Sequence, residues 1–248
     1  MCFAGFLRGT ILQGHYEKVR TFLAQQKNYM TLFVLVSPGG DVNEAMMIGR
    51  LFKKYLIHTW SPEYFLDRFF LPNFGTDQPP RYRCEGADCV CASACALIWF
   101  GGVSRSGSVG LHRPRISDPT FKALPPAEAA KVYRKALDDI TRYLDEMEAP
   151  RPMVDAMVAT DSSNIWWVNA EFDRLEQPPT YAEWAESACG NFSKQEQDTL
   201  NDLIHRKSSG NLTSNDTLLL QLLSDKEVTH RTCAMYLRSS HVEQLPPP

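Results

Sequence analysis

Short apolar runs and amphipathic stretches alternate through the first two thirds of the chain. Residues 3–7 form a β-prone run. After a turn-rich loop, Tyr16, Val19, Phe22 and Leu23 recur at helical spacing over residues 15–25. Residues 31–36 are continuously β-prone and apolar and stop abruptly at Ser37-Pro38-Gly39-Gly40, as a buried parallel strand does. From about Asn43 a helix is expected, with Ala45, Met46, Ile48, Gly49, Leu51 and Phe52 on its inner face, and residues 56–60 read as the next strand. This strand–helix–strand order predicts an α/β fold with a parallel sheet.

Regularity lapses between Ser61 and Asp88, where four prolines and a cluster of aromatic residues read as a long irregular insertion. Residues 91–102 then read as a helix running into a Gly-Gly turn, and residues 108–111 as a short strand ended by His112-Arg113-Pro114. The strongest helical stripe of the chain follows Pro126: Ala129, Val132, Tyr133, Ala136, Leu137, Ile140, Leu144 and Met147. A second helix over residues 153–159 leads into a strand at 165–168, and Pro178-Pro179 marks a boundary. The expected organisation is an α/β domain over residues 1–180, with an insertion at about 58–90, and a small helical module over 181–248. Two or three amphipathic helices are expected there, with Leu200, Leu203, Ile204, Leu218, Leu219, Leu222 and Leu223 on their apolar faces.

Composition narrows the function classes. The 248 residues are 44% hydrophobic and 22% charged, enough apolar content for a sizeable core. Net charge is −3 with the signs mixed and no basic block, which argues against a nucleic-acid partner. The apolar stretch at residues 29–37 is too short to cross a bilayer, so no transmembrane segment is expected. Residues 1–10 have neither the basic stretch nor the small-residue cleavage site of a secretory signal, and the early strand pattern fits a chain whose leader has been removed.

Seven cysteines change the picture of the compartment. Cys84, Cys89, Cys91 and Cys95 fall within twelve residues, Cys189 and Cys233 flank a helical segment, and Cys2 is left over. Structural zinc sites favour two separated C-x2-C-type pairs, and the spacings here are x4, x1 and x3, so disulfides are preferred to metal. Disulfides in turn favour an oxidising compartment, periplasmic or secreted, over the cytoplasm.

Three features carry candidate chemistry. Ser37-Pro38-Gly39-Gly40 directly after a buried strand frees backbone N–H groups for a ligand, although glycine pairs also serve ordinary turns. Cys91-Ala92-Ser93-Ala94-Cys95 places a serine at a helix start, where unpaired N–H groups and the positive end of the helix dipole suit a nucleophile. The rival explanation is simple: serine is a favoured N-cap, worth about 1 kcal/mol with no catalysis. His112, nineteen residues on, is a base candidate because imidazole titrates near neutrality.

In combination, Ser-Pro-Gly-Gly plus a helix, Ala-Ser-x-x-Ala, a Gly-Gly turn with Arg105, and a strand ending in His-x-Pro resemble the Clp protease proteolytic subunit and its crotonase-like relatives, over about residues 3–175. The pattern is most similar to their stand-alone branch bearing Cys-Ala-Ser-Ala-Cys. The resemblance implies a serine peptidase with Ser93 as nucleophile, His112 as base and the N–H groups of Gly40 and Ala94 as oxyanion hole, acting on peptide or protein substrates without cofactor or metal. It also implies a homo-oligomer. The insertion stands where those peptidases have a short connection, and its position just before the nucleophile helix suggests a lid, against which stands the plain reading of a surface loop.

The sequence departs from the family at the third triad member. An aspartate is expected just before the strand at 165–168; Asn164 stands there, with Asp161 three residues earlier. Either Asp161 serves as the acid or turnover is weak, since Asp-to-Asn in a serine triad lowers kcat by about 10⁴. Two alternatives follow: a scaffold or binding protein that keeps the fold without the chemistry, and a crotonase-type enzyme acting on an acyl-thioester.

Overall fold

A computed structural model describes residues 3–26, 30–62, 68–70, 83–85, 89–116, 119–168 and 178–245. The chain separates into two compact units, 1–178 and 179–246. In the first, the elements run β1 (Phe3–Arg8), α1 (His15–Gln26), β2 (Met30–Val36), α2 (Val42–Lys54), β3 (His58–Trp60), β4 (Arg68–Phe70), β5 (Arg83–Glu85), α3 (Ala94–Phe100), β6 (Ser104–Ser106), β7 (Gly110–Leu111), α4 (Pro119–Lys122), α5 (Pro126–Glu146), α6 (Arg151–Ala159) and β8 (Trp166–Trp167).

Four strands form a parallel sheet in the order β1-β2-β3-β6, with Phe33 opposite Gly5 and Thr59, and Thr59 opposite Arg105. The expected α/β class with a parallel sheet and helices is therefore what the chain adopts. Val34, Leu35 and Val36 of β2 are fully or almost fully buried, as a strand covered on both faces requires. Asp41 caps α2 by accepting the Glu44 N–H at 3.0 Å, and the stripe Ala45, Met46, Ile48, Leu51 and Phe52 is buried. Gly49 interrupts that stripe where Tyr143 of α5 passes, so that the tyrosine hydroxyl donates to the Leu97 carbonyl of α3 at 2.7 Å.

Several elements depart from the sequence expectation. The segment 91–102 is not helical throughout: Cys91 and Ala92 are extended, bridging Ser37 and Gly110, and the helix begins at Ala94. Hydrogen bonds from neighbouring chain segments override the helical preference of that short run. β6 was not anticipated, because its sequence Ser-Arg-Ser carries no apolar signal. Its buried Arg105 is held by the carbonyls of Gly102 and Met147 and lies over the Phe100 ring, and burial pushes its guanidinium down to about 10. β7 covers only Gly110–Leu111 and pairs antiparallel with β8.

The insertion contains an antiparallel pair, β4 with β5, and is thus not wholly irregular. Most of it, and with it the expected lid, lies outside the described residues. The expected stripe is buried only at its C-terminal end, at Ile140, Leu144 and Met147, and Tyr143, outside the stripe, is buried with them.

The second unit holds α7 (Pro179–Cys189), α8 (Lys194–Ser208) and α9 (Ser214–Gln244). Capping boxes start α8 at Ser193 with Glu196 and α9 at Thr213 with Asp216. Leu200 and Leu203 of α8 pack with Leu220 and Leu223 of α9. A Cys189–Cys233 disulfide ties the end of α7 to α9. No helix among the described residues is long and apolar enough to cross a membrane.

Candidate active site

The end of β2 organises the site. Past Val36, Ser37 donates its N–H to the Val90 carbonyl at 2.7 Å and accepts from the Ala92 N–H at 3.0 Å, which brings the Cys91-Ala92 segment alongside. On its other side that segment meets β7: the Gly110 N–H donates to the Cys91 carbonyl and the Ser93 N–H to the Gly110 carbonyl, both at 2.9 Å. Ser93 is thus held at the junction of an extended segment and α3 by main-chain bonds on both sides.

Its backbone conformation is unusual. Ser93 has φ 58° and ψ −127°, in a region that L-residues rarely occupy, and only Leu56 and Glu148 share a positive φ among the described non-glycine residues. Such a conformation costs about 1–3 kcal/mol. Although Ser93 occupies the N-cap position, its side chain makes no capping hydrogen bond. Asp41, Ser193 and Thr213 do cap their helices, so the capping explanation that fits those residues does not fit Ser93. Ser93 thus stands at a strained elbow between the extended Cys91-Ala92 segment and α3.

The glycine turn lies against this elbow. A Cβ on Gly39 would stand 3.0 Å from the Ala94 nitrogen, and one on Gly40 would stand 2.1 Å from the Ile11 carbonyl oxygen. The Gly39 N–H donates to Ser37 Oγ at 3.1 Å, and the Gly39 carbonyl accepts from the Ile11 N–H at 2.8 Å. By contrast, the N–H groups of Gly40 and Ala94 donate to no group among the described residues. These are the two N–H groups expected at an oxyanion hole; Ala94 follows Ser93 directly, while Gly40 follows the Gly39 that packs on Ser93.

His112 directly follows β7, two residues after the Gly110 that bonds the Ser93 N–H. The side chain is partly exposed and its Nδ1 lies 2.7 Å from the carbonyl oxygen of Arg113. No hydrogen bond joins Ser93 Oγ to His112 among the described residues.

Neither candidate for the third position touches His112. Asp161 forms an ion pair with the Arg113 guanidinium and accepts from the Ser163 N–H at 3.0 Å and Ser163 Oγ at 2.8 Å. The Ser163 bonds first, and Arg113 after them, hold its carboxyl below the ordinary aspartate range. Asn164 is exposed; its N–H closes a turn onto the Asp161 carbonyl at 2.9 Å. Arg113 is the residue that motif reading passed over, and its place in His-x-Pro was the available signal.

Cys91 and Cys95 form a disulfide that brackets Ser93, with both residues fully buried. Cys89 is disulfide-bonded as well. No group of three metal-ligating side chains occurs among the described residues.

No protein-family model and no curated protein matches the sequence. Among solved structures, the chain is similar to a mutant ClpP1 from Listeria monocytogenes, at 16% sequence identity over 68% of this chain and 83% of that chain, with a TM-score of 0.45.

Proposed function

We propose that this chain is a serine hydrolase that cleaves peptide bonds through an acyl-enzyme on Ser93. The observation that carries the reading is the strained, non-capping conformation of Ser93 against the glycine turn that follows β2. Ser93 Oγ attacks the substrate carbonyl carbon while His112 Nε2 takes the hydroxyl proton. The oxyanion that forms is met by the N–H groups of Gly40 and Ala94. Collapse breaks the C–N bond, and His112 returns the proton to the leaving amine. Water then repeats the sequence against the ester and frees Ser93.

The Clp-peptidase-like motif order supports peptide over other acyl substrates. Disulfides at Cys91–Cys95 and Cys189–Cys233 support an oxidising compartment, periplasmic or secreted. Residues 181–248 are proposed as a separate helical module, and a homo-oligomer is proposed for the α/β domain on the motif resemblance alone.

A fluorophosphonate probe tests the reading. Wild-type protein should label on Ser93, and both Ser93→Ala and His112→Ala should abolish it. Absence of labelling in the wild type would sink the proposal. A second reading, a binding protein that keeps the fold with weak chemistry, is favoured by one observation: among the described residues no carboxylate hydrogen-bonds to His112. Labelling that is absent while purified protein still retains peptides would support it.

A further inference from the structure

We infer that the main-chain carbonyl of Arg113 orients His112 in place of a triad carboxylate, and that Asp161 is a positioning residue that holds this carbonyl through the Arg113 side chain. The inference rests on the hydrolase reading above and names a part of the same site.

An acceptor 2.7 Å from Nδ1 requires the proton on that nitrogen. Nε2 is then left unprotonated, the tautomer a base needs toward a serine hydroxyl. A carbonyl can therefore set the tautomer as a triad aspartate does. It offers a dipole instead of a full charge, so it stabilises imidazolium less.

A carbonyl can do this only if the residue that carries it is held, and three contacts hold Arg113. The Arg113 N–H donates to the Thr160 carbonyl at 3.0 Å. Thr160 is itself anchored at the end of α6, its N–H and Oγ1 both donating to the Ala156 carbonyl at 3.0 and 2.7 Å. The Arg113 guanidinium is paired with Asp161, whose other oxygen is occupied by Ser163. Pro114 adds a fourth restraint, because a residue before proline is confined to extended conformations. The proline of the His-x-Pro motif thereby acquires a purpose: it limits the peptide that carries the orienting oxygen.

The inference also explains why Asn164 is compatible with a working base. The position that carries the family's aspartate need not touch the histidine if the histidine already has an acceptor.

Two readouts on the intact protein test this. The first is the ¹⁵N NMR signature of the His112 ring, which reports the tautomer whether or not the protein has activity. The second is the rate and pH profile of fluorophosphonate labelling. Arg113→Ala and Asp161→Asn should each lower the labelling rate about tenfold, displace its pH profile and reduce the Nδ1–H population. Combining them should do no more than either alone, since both break one clamp. Asp161→Glu should recover part of the loss. If labelling and tautomer stay unchanged in Arg113→Ala while Asp161→Asn loses both, Asp161 acts on His112 directly and the inference fails. Loss on Asn164→Ala with Arg113→Ala intact would overturn it equally. A wild type that never labels, yet loses its Nδ1–H tautomer in Arg113→Ala, would refute the hydrolase reading and keep the carbonyl assignment.

Discussion

A Cβ placed on Gly39 would stand 2.7 Å from the Cβ of Ser93. The glycine turn after β2 and the elbow before α3 are thus in contact at backbone distance, and the site depends on that contact. The same Cβ would lie 3.0 Å from the Ala92 carbonyl oxygen and the Ala94 nitrogen, neither of which can move without shifting the elbow. Gly39→Ala should cost about 2–4 kcal/mol of stability and abolish probe labelling. Gly9 is the control: it has a similar positive φ but nothing within 4 Å, so Gly9→Ala should cost only about 1–2 kcal/mol and leave labelling intact. Urea unfolding alongside labelling separates the two. Equal costs would mean that the Gly39 turn does not press on the elbow.

The strain at Ser93 gives a prediction of unusual sign. Replacing an ordinary serine by glycine weakens a fold, because glycine has more freedom to lose. At φ 58° and ψ −127° glycine relieves a conformation that alanine must keep. Ser93→Gly should therefore be more stable than Ser93→Ala by about 1 kcal/mol. Denaturant midpoints would show it, and an alanine variant at least as stable as the glycine one would remove strain from the account of the elbow.

How much of this was legible in the sequence depends on where each element gets its stability. β2, α2 and the stripe at Ile140–Leu144 were readable because their own apolar residues make the core. β6 was not, because its inward residue is Arg105, whose burial depends on carbonyls at Gly102 and Met147. Ser93 was readable as a candidate, but its unfitness as a cap could be seen only from its dihedrals. The partner of His112 was illegible for a different reason: a backbone carbonyl carries no residue signature, and Asp161 is tied to it through Arg113, 48 residues away.

The Cys91–Cys95 and Cys189–Cys233 disulfides should differ in what they hold. A link across four residues closes a small loop and stabilises by about 2 kcal/mol on the chain-entropy account, whereas one across 44 residues contributes about 4 kcal/mol. Replacing Cys189 and Cys233 by serine should therefore lower stability more than replacing Cys91 and Cys95 by alanine. Labelling should reverse that order, because only Cys91–Cys95 brackets Ser93. Circular dichroism on unfolding and probe kinetics on the folded proteins give the two rankings. A labelling rate insensitive to the Cys91–Cys95 pair would show that main-chain bonds alone hold the elbow.

Acid should find the domain at Glu44. Its carboxylate accepts the N–H of Gly14 at 2.9 Å and of Tyr16 at 2.6 Å, at the start of α1, from its own place on α2. The Tyr16 bond, and after it the Gly14 bond, hold the carboxyl below the ordinary glutamate range. With the folded value depressed, the stabilisation is fully present above the unfolded value and is lost as pH falls through the folded one. Glu44→Gln cannot carry the charge at any pH. The wild type should be more stable than Glu44→Gln near neutrality, and the gap should close on acidification below the ordinary glutamate range. Urea midpoints of the two proteins across that range test the sign. A gap that stays constant would mean that the two N–H bonds do not depend on the charge of Glu44, and that the α1–α2 corner is held by packing alone.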